Sequence, residues 1–211
     1  APRTANTAIN LGTGATDAGL QLDDSELAFL TDGFSSITIG DAAAGTGTIT
    51  VNASTFNDHV TIVGGPMAVD GLLSVTGTTT LTAGGAVAIN ADVTSSDNVD
   101  ITATDTAAAG QDVDIAASAT VQSTAGSITI DAGDDFSMAA GSVLNASTTI
   151  TVNIDSGDAD TGTGATADLG GTFISTGATV NSAGDNDTFN ATTTTAATLT
   201  GAAGDDTFNV S

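Results

Sequence analysis

The chain has no lysine, cysteine, tryptophan or tyrosine, and Arg3 is its only strongly basic residue. Without cysteine it cannot form a disulfide framework. Its net charge of −24 over 211 residues repels phosphate backbones and anionic surfaces, so we expect no nucleic-acid partner. The sequence has no run of about 18 apolar residues, so we also expect no membrane insertion.

Residues that could carry catalysis are equally scarce. His59 is the only histidine, and it has no cysteine or second histidine with which to form a triad or a zinc site. A solenoid enzyme acting on acidic sugars would need Arg or Lys to neutralise the substrate carboxylate. We therefore predict that the chain is not an enzyme. Paired Asp residues could still serve a glycan-cleaving site, so a glycan-binding or glycan-cleaving β-helix remains an alternative.

The residues that are abundant are turn formers and oxygen ligands. The chain contains 24 Asp, one Glu and 26 Gly, together with many Thr and Ala. Asp, Asn and Gly favour turns, and carboxylates are ligands for hard cations such as calcium. A mean hydropathy of +0.22 and an ordered apolar pattern argue against the disorder that high charge would otherwise indicate.

Short apolar-x-apolar pairs recur along the chain and are bounded by Gly, Asp, Asn and Ser. Alternation with a period of two is typical of a strand with one buried face. The sequence therefore predicts an all-β chain with strands at Ile37/Ile39, Ile49/Val51, Val60/Ile62, Leu73/Val75, Val87/Ile89, Val99/Ile101, Val113/Ile115, Ile128/Ile130, Phe136/Met138 and Ile150/Val152.

A longer period is superimposed on these pairs. The series Val113/Ile115, Val121, Ile128/Ile130 is matched by Phe136/Met138, Val143, Ile150/Val152, at offsets of 23, 22 and 22 residues. The series Leu73/Val75, Leu81, Val87/Ile89 has the same internal order. Self-similarity of this kind is the signature of a solenoid. We predict a parallel β-helix with three short strands per coil of about 22 residues.

The N-terminal part departs from this pattern. Leu22, Leu27 and Leu30 have nearly helical spacing, which predicts a short helix with Asp23 or Asp24 as N-cap and Gly33 at C′. We divide the single continuous solenoid domain into an N-terminal segment with the short helix, the solenoid coils, and a polar loop (155–170) followed by acidic terminal coils. The corresponding ranges are 1–35, 36–154 and 155–211.

Two acidic turns near the C-terminus predict calcium binding. The segment GDNDTFN recurs as GDDTFN, with the glycines 20 residues apart. In such turns Gly permits a tight bend, Asp supplies a carboxylate, and the following Phe (Phe189 or Phe208) anchors a strand in the core. A weaker version of this motif is the segment GDDF, which begins at Gly133. The predicted calcium-binding residues are Gly184, Asp185, Asp187, Gly204, Asp205, Asp206, Asp134 and Asp135. The alternative is that these are tight turns without a metal. For Asp155, Asp158 and Asp160 we favour a solvated loop.

Pairs of threonines with a period of two suggest a third, ice-binding alternative. They lie at Thr48/Thr50, Thr80/Thr82, Thr102/Thr104 and Thr193/Thr195. Ice binding requires the pairs to lie in register on one face, and their uneven spacing predicts that they do not. Threonine is also a common strand residue.

The stretches LDDSELAFLTDGFSSITIGDAAAGTGTITVN and GSITIDAGDDFSMAAGSVLNASTTITVN resemble the repeats of filamentous-haemagglutinin-like bacterial adhesins. The AGDDTFNV ending is similar to haemolysin-type (RTX-like) calcium-binding turns. The resemblance implies a right-handed parallel β-helix that is secreted or at the cell surface and acts in adhesion, biofilm or surface-layer structure.

From the residues and this resemblance together we expect a non-catalytic extracellular structural or adhesive solenoid. We expect calcium as its cofactor, and neighbouring repeats or identical subunits stacked head to tail as its partners. Host or matrix glycans are a further candidate partner. An open solenoid end is a sheet edge that has to be covered. Neighbouring repeats would cover it in a longer polypeptide, and head-to-tail stacking would do so in an isolated chain.

Overall fold

The structure is a stack of short parallel strands arranged in three sheets. It is a computed structural model that describes residues 6–14, 19–41, 45–192 and 197–211. Every strand pairing within these ranges is parallel, which confirms the predicted parallel β-solenoid. The ten-stranded sheet runs in the order β2 (Leu20–Leu22), β1 (Ile9–Leu11), β4 (Ile49–Val51), β7 (Met67–Val69), β10 (Val87–Ile89), β13 (Val113–Ile115), β16 (Phe136–Met138), β19 (Thr166–Leu169), β22 (Thr188–Ala191) and β24 (Thr207–Val210).

The other two sheets complete each coil. The eight-stranded sheet runs in the order β23 (Thr198–Thr200), β21 (Gly177–Asn181), β18 (Thr149–Asn153), β15 (Ile128–Ala132), β12 (Val99–Ala103), β9 (Thr79–Ala83), β6 (Val60–Gly64) and β3 (Ile37–Gly40). The six-stranded sheet runs in the order β20 (Thr172–Ile174), β17 (Val143–Ala146), β14 (Thr120–Ser123), β11 (Val93–Ser95), β8 (Leu73–Val75) and β5 (Ser54–Phe56). From β4 to β21 the chain visits the ten-, six- and eight-stranded sheets in turn.

The core is a set of inward-facing columns, one residue per coil. All the apolar pairs predicted from the sequence lie in strands, and both members of each pair are buried. In the ten-stranded sheet one column contains Phe136, then Ala167, then Phe189. Because successive strands are only about 4.8 Å apart, a small residue between two rings leaves room for both.

Coil length varies, and the variation is confined to the connections between strands. Paired residues are 18 positions apart between Ile49 and Met67 but 31 apart between Phe136 and Ala167. The segment that lengthens the coil between Phe136 and Ala167 is the polar loop predicted over 155–170. The structure ends that loop before Thr166, because Ala167 and Leu169 are buried and alternate with outward-facing residues to form β19.

The register corrects two details of the predicted repeat. Val121 pairs with Leu144, and Val143 is only half-buried. Leu73 belongs to the six-stranded sheet, as Val121 does, whereas Val113 belongs to the ten-stranded sheet. The series that begins at Leu73 therefore corresponds to a different order of sheets from the series that begins at Val113. The sequence does not distinguish them, since apolar pairs of the same kind occur in all three sheets.

The N-terminal segment contributes to the solenoid as well as covering one end of it. Strand β1 lies between β2 and β4, so the ten-stranded sheet begins within residues 1–35. The predicted helix is shorter than expected, since α1 spans only Asp24–Leu27. Asp23 is its N-cap and forms a capping box with Glu26, and Gly33 lies beyond the helix. Leu27 is buried, and α1 packs against β5, the last strand of the six-stranded sheet. Among the described residues no helix is long and apolar enough to cross a membrane.

The opposite end of the stack is open in the described part of the chain. Strand β24 is the last strand of the ten-stranded sheet, and the six-stranded sheet already stops at β20. Phe208 stacks on Phe189 with ring centroids 4.8 Å apart. It nevertheless remains 47% exposed, and Val210 is 66% exposed. Phe208 therefore does not become a fully buried anchor like Phe189, because no described strand lies beyond β24.

Candidate metal centre

One corner of the solenoid is strongly acidic. We call it the acidic corner and define it as the connections that lead from the eight-stranded to the ten-stranded sheet, at residues 104–112, 133–135, 154–165, 182–187 and 201–206. These five connections stack in successive coils and carry Asp105, Asp112, Asp134, Asp135, Asp155, Asp158, Asp160, Asp185, Asp187, Asp205 and Asp206. Each connection enters a strand of the same sheet, so carboxylates that are distant in sequence lie side by side.

Two groups of three carboxylates form at this corner. The first contains Asp155, Asp158 and Asp185, and the second contains Asp105, Asp134 and Asp160. Within each group, one carboxylate oxygen from each residue lies within 4.8 Å of the others. The chain has no lysine, and its one arginine, Arg3, lies outside the described residues. No basic side chain of the described chain therefore neutralises either group.

The first group is held by unusual backbone geometry. Asp155, Asp158 and Asp185 have φ angles of 52°, 51° and 70°, in the left-handed region that non-glycine residues rarely adopt. Among the described residues only one other non-glycine residue, Ser118, has a positive φ. The backbone N–H of Gly162 donates to Asp185 Oδ2. The turns thus direct three carboxylates toward one another although like charges repel.

Burial makes this arrangement electrostatically unfavourable in the absence of a countercharge. Asp155 is only 1% exposed, and its Oδ2 is buried without a hydrogen-bond partner. Burial, followed by the charge of Asp187, raises the pKa of Asp155 to about 7. Burial and then the neighbouring charge of Asp185 raise the pKa of Asp158. Asp187 is fully buried, and its Oδ2 also has no partner.

The residues predicted as calcium ligands separate into two kinds. Asp185 and Asp134 each join a carboxylate group, and Asp187 lies close enough to Asp155 to affect its pKa. Asp135, Asp205 and Asp206 belong to neither group.

Two of the carboxylates outside the groups, those of Asp135 and Asp206, connect neighbouring coils through hydrogen bonds. Asp135 Oδ1 accepts from the backbone N–H of Thr166 at 2.7 Å, and Asp206 Oδ1 accepts from that of Asp187 at 3.1 Å. Asp205 lies in an exposed turn, where its N–H donates to Asn186 Oδ1 at 2.7 Å.

The two predicted glycines allow the turns to stack closely. A Cβ on Gly204, whose φ is +133°, would lie 1.6 Å from the carbonyl oxygen of Asp185. A Cβ on Gly184 would lie 2.8 Å from Asp158 Oδ2. The glycines therefore bring one coil close to the next and supply no ligand side chain.

Sequence reasoning missed four members of these groups. Asp155, Asp158 and Asp160 had been interpreted as a solvated loop, and Asp105 had not been singled out. The structure places Asp105 against the loop, where its Oδ2 accepts from the N–H of Ala159 at 2.7 Å. The spacing of the Asp residues in the loop was a visible signal, but their partners lie in other coils.

A comparison with known protein families, curated proteins and solved structures found no match to this chain. The donor set is therefore judged by its chemistry. Both groups consist only of carboxylate oxygens, which suit a hard cation such as calcium and not a metal that prefers nitrogen or sulfur.

The outer face of the eight-stranded sheet presents a second regular feature, a column of threonines. The inter-strand register aligns one outward residue from each strand: Thr38, Thr61, Thr80, Asp100, Thr129, Thr151, Thr179 and Thr198. The three described pairs, Thr48/Thr50, Thr80/Thr82 and Thr102/Thr104, are not in register as pairs. The pair Thr193/Thr195 lies outside the described residues. A column forms nonetheless, because connections of variable length leave the strand register intact.

Asp100 interrupts this column and yields a pH prediction. Burial, and then the charge of Asp131, raise its pKa above the ordinary value of 3.8. The Asp100 carboxyl group therefore stays protonated to a higher pH in the folded state than in the unfolded state. As a result, the contribution of Asp100 to stability decreases as the pH rises above about 4. We expect Asp100→Asn to show a smaller loss of stability between pH 4.5 and pH 7 than the parent chain does.

Urea unfolding in EDTA at these two pH values measures the difference. Asp32→Asn, at an exposed position, is the matched control. An equal loss of stability in Asp100→Asn and the parent chain would contradict this account.

Proposed function

We propose that this chain is a non-catalytic structural or adhesive β-solenoid, a segment or subunit of an extracellular bacterial surface fibre that calcium stabilises. In this role the regular stack of coils is itself the functional element, and its ends are joined to further coils. The fibre part of the proposal is supported by the regular stack of parallel coils, and the calcium part by the acidic corner.

The uninterrupted stack of parallel coils carries the fibre proposal, and β24 is the edge strand of its ten-stranded sheet. Beside it lies a groove of about 630 Å³ whose lining includes Met138, Leu169, Phe208 and Val210. An unpaired strand edge with exposed apolar side chains favours pairing with another strand. A further parallel coil would cover Phe208 in the way that Phe208 covers Phe189.

A ladder of polar side chains leads to the same edge. Asn190 Nδ2 donates to Asp168 Oδ1 at 2.7 Å, and Asn209 Nδ2 donates to Asn190 Oδ1 at 2.8 Å. An additional coil with a donor at this position would extend the ladder by one step. At the other end of the same sheet lies β2, so head-to-tail contact of two copies would continue the ten-stranded sheet in parallel.

The test is sedimentation velocity over a range of protein concentrations in millimolar calcium, with negative-stain microscopy of the same samples. We expect concentration-dependent association into rods that lengthen along one axis. Val210→Lys should weaken this association by placing a charge on the open edge. Ala88→Lys, which adds the same charge to an outward-facing position in the middle of the ten-stranded sheet, should associate like the parent chain.

Two results would contradict the proposal. A chain that remains monodisperse at every concentration would overturn head-to-tail stacking. Turnover on a panel of polysaccharides would favour the glycan-cleaving alternative.

The threonine column favours ice binding as a second candidate function. Seven of its eight positions are threonine, and they lie at the regular spacing of a parallel sheet, about 4.8 Å. A flat array of equally spaced hydroxyl and methyl groups suits an ordered water surface. Thermal hysteresis measured on the chain tests this function. Thr129→Tyr, which places a large ring at mid-column, should abolish any hysteresis found.

A further inference from the structure

We propose that Asp155, Asp158 and Asp185 together bind one calcium ion, which fastens the loop 155–164 to the next coil. The site differs from the turns predicted from the sequence, because two of its three ligands come from the loop. The inference rests on the calcium part of the proposed function and is independent of the fibre part.

The contact between Asp158 and Asp185 is the first argument. These carboxylates belong to adjacent coils, and one oxygen of each lies within 4.8 Å of the other. Two ionised carboxylates at this separation repel each other, and a shared cation would offset that repulsion. A cation also explains why three neighbouring Asp residues adopt left-handed backbone conformations that bring their charges together.

A second and independent observation comes from burial. Asp155 is 99% buried, yet its Oδ2 has no hydrogen-bond partner, and one of its carboxylate oxygens lies within 4.8 Å of those of Asp158 and Asp185. Asp187 is also fully buried, and its Oδ2 likewise has no partner. Buried carboxylate oxygens are normally hydrogen-bonded or bound to a metal.

The second carboxylate group is not part of this proposal. Its members Asp105, Asp134 and Asp160 are all partly exposed. Asp134 Oδ2 already accepts from the backbone N–H groups of Gly110 and Gln111, so hydrogen bonds account for its position.

The geometry of the site also indicates which cation it takes. Its donors are carboxylate oxygens from irregular turns, and calcium accepts six to eight oxygens in flexible arrangements, whereas magnesium requires a nearly ideal octahedron. We therefore expect the site to prefer calcium to magnesium. The bound ion would hold the loop 155–164 against the turn that precedes β22.

Isothermal titration calorimetry on the full chain, stripped with EGTA, tests the site with calcium and with magnesium as titrants. We expect Asp158→Asn and Asp185→Asn to weaken calcium binding by about tenfold or more, because each loses one charged ligand. Asparagine tolerates a positive φ, so these variants keep the turn backbone. Asp32→Asn and Asp205→Asn remove the same charge at exposed positions and should bind calcium like the parent chain.

The melting temperature distinguishes a carboxylate that binds calcium from one with a structural role only, because only the first contributes to the rise that calcium produces. Asp155→Asn removes a buried charge, so the variant should melt above the parent chain in EGTA and should lose the rise that calcium produces in the parent. If calcium raises the melting temperature of Asp155→Asn as much as it raises that of the parent chain, the role of Asp155 as a ligand is overturned.

The remaining outcomes separate this site from its rivals. Unchanged calcium affinity in Asp158→Asn and Asp185→Asn would overturn the site, and so would a loss of affinity confined to Asp205→Asn, which would assign the ion to the C-terminal turn. Calcium binding by a chain that never associates into rods would uphold the site and contradict only the fibre proposal.

Discussion

Phe136→Ala is expected to lower the free energy of unfolding by about 3–5 kcal/mol. The ring is completely buried in β16, in the middle of the stack. Its neighbours in the column are Val113 and Ala167, and both are too small to fill the space that the ring would leave. The cavity would also interrupt the stacking on which each coil depends, because a coil contacts chiefly the coils beside it.

Chemical denaturation followed by circular dichroism, in calcium throughout, measures this change. Phe29→Ala serves as the control, because it removes the same ring from a side chain that is 82% exposed. We expect the control to change stability by less than about 0.5 kcal/mol. Similar losses in the two variants would show that the columns do not form the core as described.

Gly40→Ala is expected to lower the free energy of unfolding by at least about 3 kcal/mol, because it combines an unfavourable backbone conformation with a steric clash. Gly40 has a φ of +105°, and a Cβ there would lie 1.7 Å from the carbonyl oxygen of Val63. Gly40 and Val63 are paired residues of β3 and β6. The methyl group would therefore push apart the last two strands of the eight-stranded sheet.

Gly33→Ala separates the two effects. Gly33 also has a positive φ, +126°, but a Cβ there would meet no atom within 4 Å. In this control we expect the free energy of unfolding to fall by only roughly 1–2 kcal/mol, the cost of placing an alanine in a left-handed backbone conformation. Both variants are compared by urea unfolding. Equal destabilisation would mean that the close approach to Val63 contributes nothing.

The candidate site could be predicted only in part from the sequence. The recurrence of GDNDTFN and GDDTFN drew attention to Asp185 and Asp187, and both lie at the acidic corner. The same reasoning selected Asp205 and Asp206, which lie outside the carboxylate groups. It set aside Asp155 and Asp158 because a polar loop of Asp and Gly is usually solvated. Their burial depends on the coils against which the loop packs, and no local pattern records that contact.

The sequence by itself determined the class of fold and the identity of the core. Alternation with a period of two specifies which face of a strand is buried, and this is a local property. Its recurrence about every 22 residues specifies that the strands stack as coils. Both inferences were confirmed because they depend on residues that are close together in the chain.

Only the tertiary structure decided which residues of different coils lie side by side. Connections of unequal length separate the strands, so sequence spacing does not give the register between coils. That register aligned the threonines of the eight-stranded sheet and brought Asp155 and Asp158 to Asp185. Inter-strand hydrogen bonds and the packing of the buried columns set the register, and both form only when the coils stack.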